Sequence, residues 1–285
     1  MVYNYFIFAH AKTHMKEIFV GAGLLYFVVF LLMCLFVKEG KYPPPSALDG
    51  GKTGFFAMVK TYGRESFSHP LYLCMFAYGA FEAAAGMCGF AKNLFYLHLG
   101  ITLTELGTFG TIMAIPTLVL LYPLAWLADK YSPIRVCIGA YVLFPLFNLA
   151  SFFLVHDYKS MIVMSVVSFS VGTFYAVAAF PLQMLIFPKE KFGQFGSANA
   201  MVTSLAAIIF SVLAGVFLDL MKRFYAGNEE YYRWMYIWSF AFQIGALFFL
   251  FQVYRYWKRH GGDEYYIPPS AGEEGESKPA SIASI

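Results

Sequence analysis

The chain has 285 residues, of which 59% are hydrophobic and 13% charged, with a formal net charge of +3 and a mean hydropathy of +0.60. So little charge on so long a chain excludes an ordinary water-facing globular surface, and the small, scattered positive excess excludes a nucleic-acid partner. No Gly-rich phosphate loop, nucleophile elbow or paired metal-ligand spacing is present, so the chain reads as a non-enzyme with no resident cofactor. What remains is an all-α, polytopic helix bundle whose first partner is the lipid bilayer.

In chain order, residues 2–9 are apolar but too short to span, and read as the stump of a longer element or an interfacial segment. Crossing about 30 Å of hydrocarbon takes roughly 20 helical residues. Seven stretches are long enough: 18–37, 71–97, 106–128, 134–155, 160–187, 194–222 and 234–257. The first is no cleaved leader, because its apolar core is too long and no small-x-small site follows. Cys34, Cys74, Cys88 and Cys137 all fall inside apolar stretches and read as small packing residues.

The one long internal loop, 38–70, opens on Lys-Glu-Gly-Lys-Tyr-Pro-Pro-Pro, which proline holds extended. Phe55, Val59 and Tyr62 then recur at helical spacing opposite Lys52, Lys60 and Arg64, the pattern of an amphipathic surface helix. Ser68, ahead of Pro70, is the expected cap of the next span. Basic residues gather on the cytoplasmic side of membranes. Twelve lie on the face carrying the 38–70 loop and only six on the other, so the N-terminus is expected outside and the C-terminus inside. The tail, rich in Pro, Ser, Gly and Glu, is expected to be disordered.

Charged groups within spans are costly and mark candidate sites. At 100° per residue, Tyr78, Glu82, Ala85, Gly86, Gly89, Asn93 and Tyr96 share an arc of about 100°. Lys92 stands roughly 80° round from Glu82 and about 15 Å along the axis, so the two are no direct pair. Glu82 suits a coupling proton, a sodium ion or a hydroxylated solute; equally, it suits an inter-helix hydrogen bond. Lys92 can reach toward the interface, and Tyr78 and Asn93 also serve as packing bonds. Ser165, Ser168, Gly172, Ala176, Ala179 and Gln183 form a similar face on 160–187, where Pro181 is expected to kink the helix. Ser197, Ser204, Ala207, Ser211, Gly215 and Asp219 on 194–222 read as a helix-packing stripe.

One short loop carries a motif. Ala125-Trp126-Leu127-Ala128-Asp129-Lys130 is followed within a few residues by Ser132 and Arg135. This resembles the loop signature of the major facilitator superfamily, Gly-x-Leu-Ala-Asp-Arg, then Gly, then basic residues, with Ala125 and Ser132 in place of its glycines and Lys130 in place of its Arg. Leu99 to Gly107 is similar to that family's outer turn between helices seven and eight. The resemblance implies that the chain is the sixth to twelfth helices of a twelve-helix fold. On that view residues 1–37 are an outer segment and first helix, 38–70 a cytoplasmic linker, 71–257 a six-helix repeat and 258–285 a disordered cytoplasmic tail. It further implies a secondary transporter working by alternating access, with Asp129, Lys130 and Arg135 as a conformational latch. Glu82, Lys92, Asn93, Tyr78 and Gln183 become substrate or ion contacts. The linker phrase and the Phe67 to Tyr72 stretch are similar to bacterial sugar–cation symporters, which implies a small polar solute, a sugar, coupled to H+ or Na+ in the plasma (inner) membrane. A central cavity needs both halves of that fold, so the chain is expected to be a C-terminal portion that works with its missing N-terminal half or a partner chain. A non-transporting scaffold and a seven-helix receptor are the alternatives. The receptor is disfavoured because no lysine lies in 234–257 and no cysteine lies in an outer loop.

Overall fold

A computed structural model describes residues 8–36, 55–225 and 229–269. Every described element is helical, and seven helices are long and apolar enough to cross a membrane, starting at His14, Pro70, Thr104, Pro133, Tyr158, Lys189 and Glu230. The chain is therefore an all-α polytopic membrane protein. The elements are α1 (Phe8–Phe36), α2 (Phe55–Phe67), α3 (Pro70–Gly86), α4 (Phe90–His98), α5 (Leu103–Tyr131), α6 (Pro133–Leu154), α7 (Tyr158–Ile186), α8 (Phe192–Phe224), α9 (Met235–Arg259) and α10 (Gly262–Tyr265). Short 3-10 turns precede α4, α8 and α9. Residues 2–7, the proline-rich phrase from Lys38, Lys52, and 270–285 of the expected tail lie outside the described residues.

The chain forms two compact units, residues 1–58 with 102–115, and residues 59–101 with 116–285. In the first, α1 bends at His14, whose φ of −125° leaves the helical region. Thr102 and Glu105 there form a reciprocal capping box at the start of α5. The Glu105 carboxylate accepts from Thr102 N at 2.7 Å, and Thr102 Oγ1 accepts from Glu105 N at 3.2 Å.

The second unit is built on α3, which lies against α8 and α9, while α6 lies against α7 and α9. Trp238 Nε1 and Ser239 Oγ of α9 donate to the carbonyls of Ala84 and Ala85, at 2.8 and 2.9 Å, near the C-terminus of α3. The Ala84 carbonyl also accepts from Met87 N, so the Trp238 bond is a second one to that oxygen, and the two bonds together pin α9 to the end of α3. At the opposite end, Tyr72, Phe187, Phe195 and Trp257 are all fully buried, and the Tyr72 and Phe195 rings sit 4.3 Å apart. Residues 262–269, placed by composition in the tail, join this end. Arg135 pairs with Asp263, Tyr266 donates to the Ile186 carbonyl at 3.1 Å, and Tyr72 donates to the Pro269 carbonyl at 2.8 Å. Composition scored the acidic residues and missed that two tyrosines bury polar atoms by bonding across this junction.

Two local details differ from expectation. The cap of α3 is His69, whose Nδ1 accepts from Leu71 N, with Pro70 at the first helical position; Ser68 is exposed. On α8 the face of Ser197, Ser204, Ser211 and Asp219 is exposed, while Phe195, Ala198, Asn199, Ala206, Ala214 and Leu218 are buried.

From Val59 onward α2 is clamped to the start of α8. Lys191 Nζ donates to Glu65 at 2.9 Å, Gln194 Nε2 donates to the same carboxylate oxygen at 3.1 Å, and Tyr62 Oη meets Ser197 Oγ at 3.0 Å. The Lys191 bond, helped by Gln194, holds the Glu65 carboxyl below its ordinary 4.5. Its contribution is therefore present above pH 4.5 and lost as pH falls through the lowered value. Hydrogen exchange over residues 59–67 should be protected at neutral pH and rise as pH falls below 4.5 and through the lowered value. Lys191→Met should release the same segment at neutral pH, and unchanged protection in that variant would remove the clamp.

Candidate functional site

Glu82 sits one turn before the end of α3, and the chain does not continue as the regular helix expected over 71–97. A 3-10 turn, Met87–Gly89, separates α3 from α4. Such a turn advances about 120° per residue instead of 100°, so three residues rotate everything beyond them by about 60°. Lys92 is thereby carried to within about 20° of the Glu82 line, and Asn93 about 80° away from it. The coordinates agree: Lys92 lines the cavity that Glu82 lines, whereas Asn93 is exposed and lines neither cavity described below.

That first cavity is about 300 Å³ and is walled by α3, α4, α6, α7 and α9. Its polar groups include Glu82, Lys92, Asn148, Ser168, Ser239 and Gln243, set among the rings of Tyr141, Phe144 and Tyr175. Asn148 Nδ2 donates to Gln243 Oε1 at 2.7 Å and to the Phe144 carbonyl at 3.2 Å, tying α6 to α9 on the cavity wall. Lys92 Nζ lies over the Tyr96 ring, 5.8 Å from its centre. Glu82 makes no hydrogen bond or ion pair with any described residue. Apart from Glu82 and Lys92, no charged side chain lines the cavity.

A second cavity lies on the other side of Glu82 and Tyr175, which line both. It is bounded by α3, α7 and α8 and contains Tyr78, Gln183 and Asn199. Tyr78 Oη donates to Tyr175 Oη at 3.1 Å, and Tyr141 packs edge-on against both rings at 5.2 Å. Of the five residues expected to contact substrate or ion, the fold brings Glu82 and Lys92 to the first cavity, and Glu82, Tyr78 and Gln183 to the second.

Sequence reasoning missed Tyr141, Asn148, Tyr175, Ser239 and Gln243. The signal was present, since Tyr141 and Asn148, and likewise Ser239 and Gln243, stand seven and four residues apart on apolar spans. Asn148→Ala should leave the Gln243 amide oxygen without its donor. A double-mutant cycle with Gln243→Ala, read by unfolding in detergent, is expected to give a coupling of about 1 kcal/mol. Additive single effects would show that the bond contributes nothing.

The loop between α5 and α6 is tight. Ser132 has φ +71°, a conformation that favours glycine, and Pro133 follows it at the first position of α6. Asp129 is exposed and has no ion-pair partner among the described residues. Lys130 Nζ lies 5.0 Å from the centre of the Trp126 ring, and Arg135 is engaged by Asp263.

Membrane-length helices walling a polar chamber of solute size define a polytopic membrane protein of the solute-handling class. The Major Facilitator Superfamily profile matches residues 71–280, and the chain belongs to that superfamily of transporters. No curated protein and no solved structure matches the chain.

Proposed function

We propose that the chain is the sixth-to-twelfth-helix portion of a secondary transporter that moves a small polar solute, a sugar, by alternating access coupled to H+ or Na+. The observation that carries this reading is the first cavity, whose volume lies at the lower end of small-molecule sites. A ring of amides and hydroxyls beside tyrosine and phenylalanine faces suits hydroxylated solutes, because each hydroxyl needs both donors and acceptors. Lys92 and Glu82 give the chamber one charge of each sign.

The remaining parts of the reading follow from the family. Asp129 is free to meet a helix N-terminus of the other half, where an acid is favoured by the helix dipole, and Lys130 and Arg135 flank it as the rest of the latch. The other half is supplied by the missing N-terminal helices or by a partner chain. The excess of basic residues around 38–70 supports an outside N-terminus and inside C-terminus in the plasma (inner) membrane. Transport is favoured over a receptor or scaffold by the family itself.

The test is to withdraw the protein from its native membrane by a tag at Ile285, so that any partner half comes with it, and to reconstitute it in proteoliposomes. Uptake of a labelled sugar panel under an imposed proton or sodium gradient is expected for at least one solute. Loss of the panel signal in Gln243→Ala would support the cavity assignment. Uptake indifferent to both gradients would overturn the coupling.

A further inference from the structure

We propose that the C-terminal end of α9 carries a binding site for the headgroup of an anionic phospholipid, whose acyl chains lie along the same helix. The site depends on the membrane class of the chain and not on the transport reading. At 100° per residue, Ile244, Phe248 and Phe251 share an arc of about 100° with Arg255, Lys258 and Arg259. All of these side chains are exposed, while Ala246, Leu250, Val253 and Trp257, on the opposite side of α9, are buried in the core. An apolar stripe therefore runs straight into a group of cations, with Phe251 and Arg259 about 12 Å apart along the axis.

Phe251, Arg255, Lys258 and Arg259, together with Tyr254, line a surface hollow of about 460 Å³ that contains no acidic side chain. None of these bases forms an ion pair or a hydrogen bond with a described residue. A neighbouring hollow shares Tyr254 and Lys258, and its one acid, Asp263, is already paired with Arg135. The helix dipole favours cations at a C-terminus, but the effect fades within the last turn. Lys258 and Arg259 lie in that turn, whereas Arg255 lies before it, one turn from an exposed phenylalanine. A charge so close to hydrocarbon is costly without an anion to meet it. Phosphate suits this group, because a guanidinium fork pairs two of its oxygens at once and an ammonium adds a point charge. Each such base beside a membrane strengthens the hold on anionic lipid by about fivefold. A soluble phosphate would use only the bases; a phospholipid also covers Phe251 and the stripe behind it. Tyr254, amphipathic and half-buried, suits the boundary between headgroup and chain.

The experiment is native mass spectrometry of the purified full chain in detergent, titrated with an equimolar mixture of phosphatidylglycerol and phosphatidylcholine. Saturable retention of phosphatidylglycerol is expected, tighter than phosphatidylcholine by about tenfold or more. Arg255→Gln combined with Arg259→Gln should remove about tenfold or more of that preference. Lys222→Gln combined with Arg223→Gln takes the same charge from the last turn of α8 and should leave it within about twofold. Phe251→Ala should weaken retention by about threefold or more, and inorganic phosphate should not displace the lipid. Displacement by phosphate, or retention indifferent to Phe251→Ala, overturns the lipid in favour of a soluble anion. Should the α9 double variant not fold, the native chain still decides. Raising ammonium acetate from about 0.1 M to about 1 M shortens screening from about 10 Å to about 3 Å and must erode the preference. Equal retention of the two lipids, a preference indifferent to salt, or equal losses in the two double variants overturns the site.

Discussion

Replacing Glu82 by glutamine is expected to abolish gradient-driven accumulation of solute, by about a hundredfold or more, while equilibrative exchange persists. The substitution keeps the shape of the side chain and removes its charge. Glu82 is the only acid lining either cavity, and it lines both. Since it holds no hydrogen bond or ion pair with a described residue, its removal breaks no structural bond. A charge in low dielectric without a partner is itself destabilising, so the variant should melt no lower than the native chain. Function and stability should therefore part company, which a structural role cannot produce. The two measurements are accumulation against a gradient in proteoliposomes and thermal unfolding in detergent. Accumulation at the native level would take Glu82 out of the coupling step.

The second large effect is on folding. A Cβ at Gly245 would stand 2.3 and 2.4 Å from two carbons of the Phe81 ring, closer than atoms approach without one of them moving. The ring has little room to give, because Phe242 and Phe249, both on α9, flank it at 5.9 and 5.3 Å. Overpacking of this kind costs about 1–3 kcal/mol, and Gly245→Ala is expected at the upper end. The strain falls where α9 also donates to Ala84 and Ala85, so the wall of the first cavity should loosen with it. Phe81→Ala in the same chain should recover part of the loss. Gly79→Ala is the contrast, since its new methyl meets the ends of the Thr203 and Asn199 side chains, which can turn. A Gly245→Ala protein that melts like the native chain would show that α3 and α9 do not approach this closely.

The spans were legible because lipid leaves few alternatives. A backbone that cannot bond to water must bond to itself, so a run of about twenty apolar residues becomes a helix whatever its neighbours do. Glu82 was legible for the related reason that a charge inside such a run is too costly to be incidental. The Asp129 loop was legible as a motif, and its strained Ser132 marks the backbone need that the motif's glycine serves. Lys92 and Asn93 were both named as contacts, but which of them shares the Glu82 line was not legible. The prediction assumed uniform helical rotation, and three residues of 3-10 turn exchanged their positions.

Amino-acid order alone determined the membrane class, the membrane-length helices among the described residues and the rare ionisable groups, because each depends on the transfer of local segments out of water. Tertiary structure alone decided which polar side chains meet. Asn148 finds Gln243 across 95 residues, Tyr78 finds Tyr175 across 97, and residues 262–269 dock at the aromatic end of the second unit. Helical periodicity says which residues share a face of one helix. Which helix that face meets is set by side-chain volumes on both partners at once, as at Gly245 and Phe81, and no single segment contains that information.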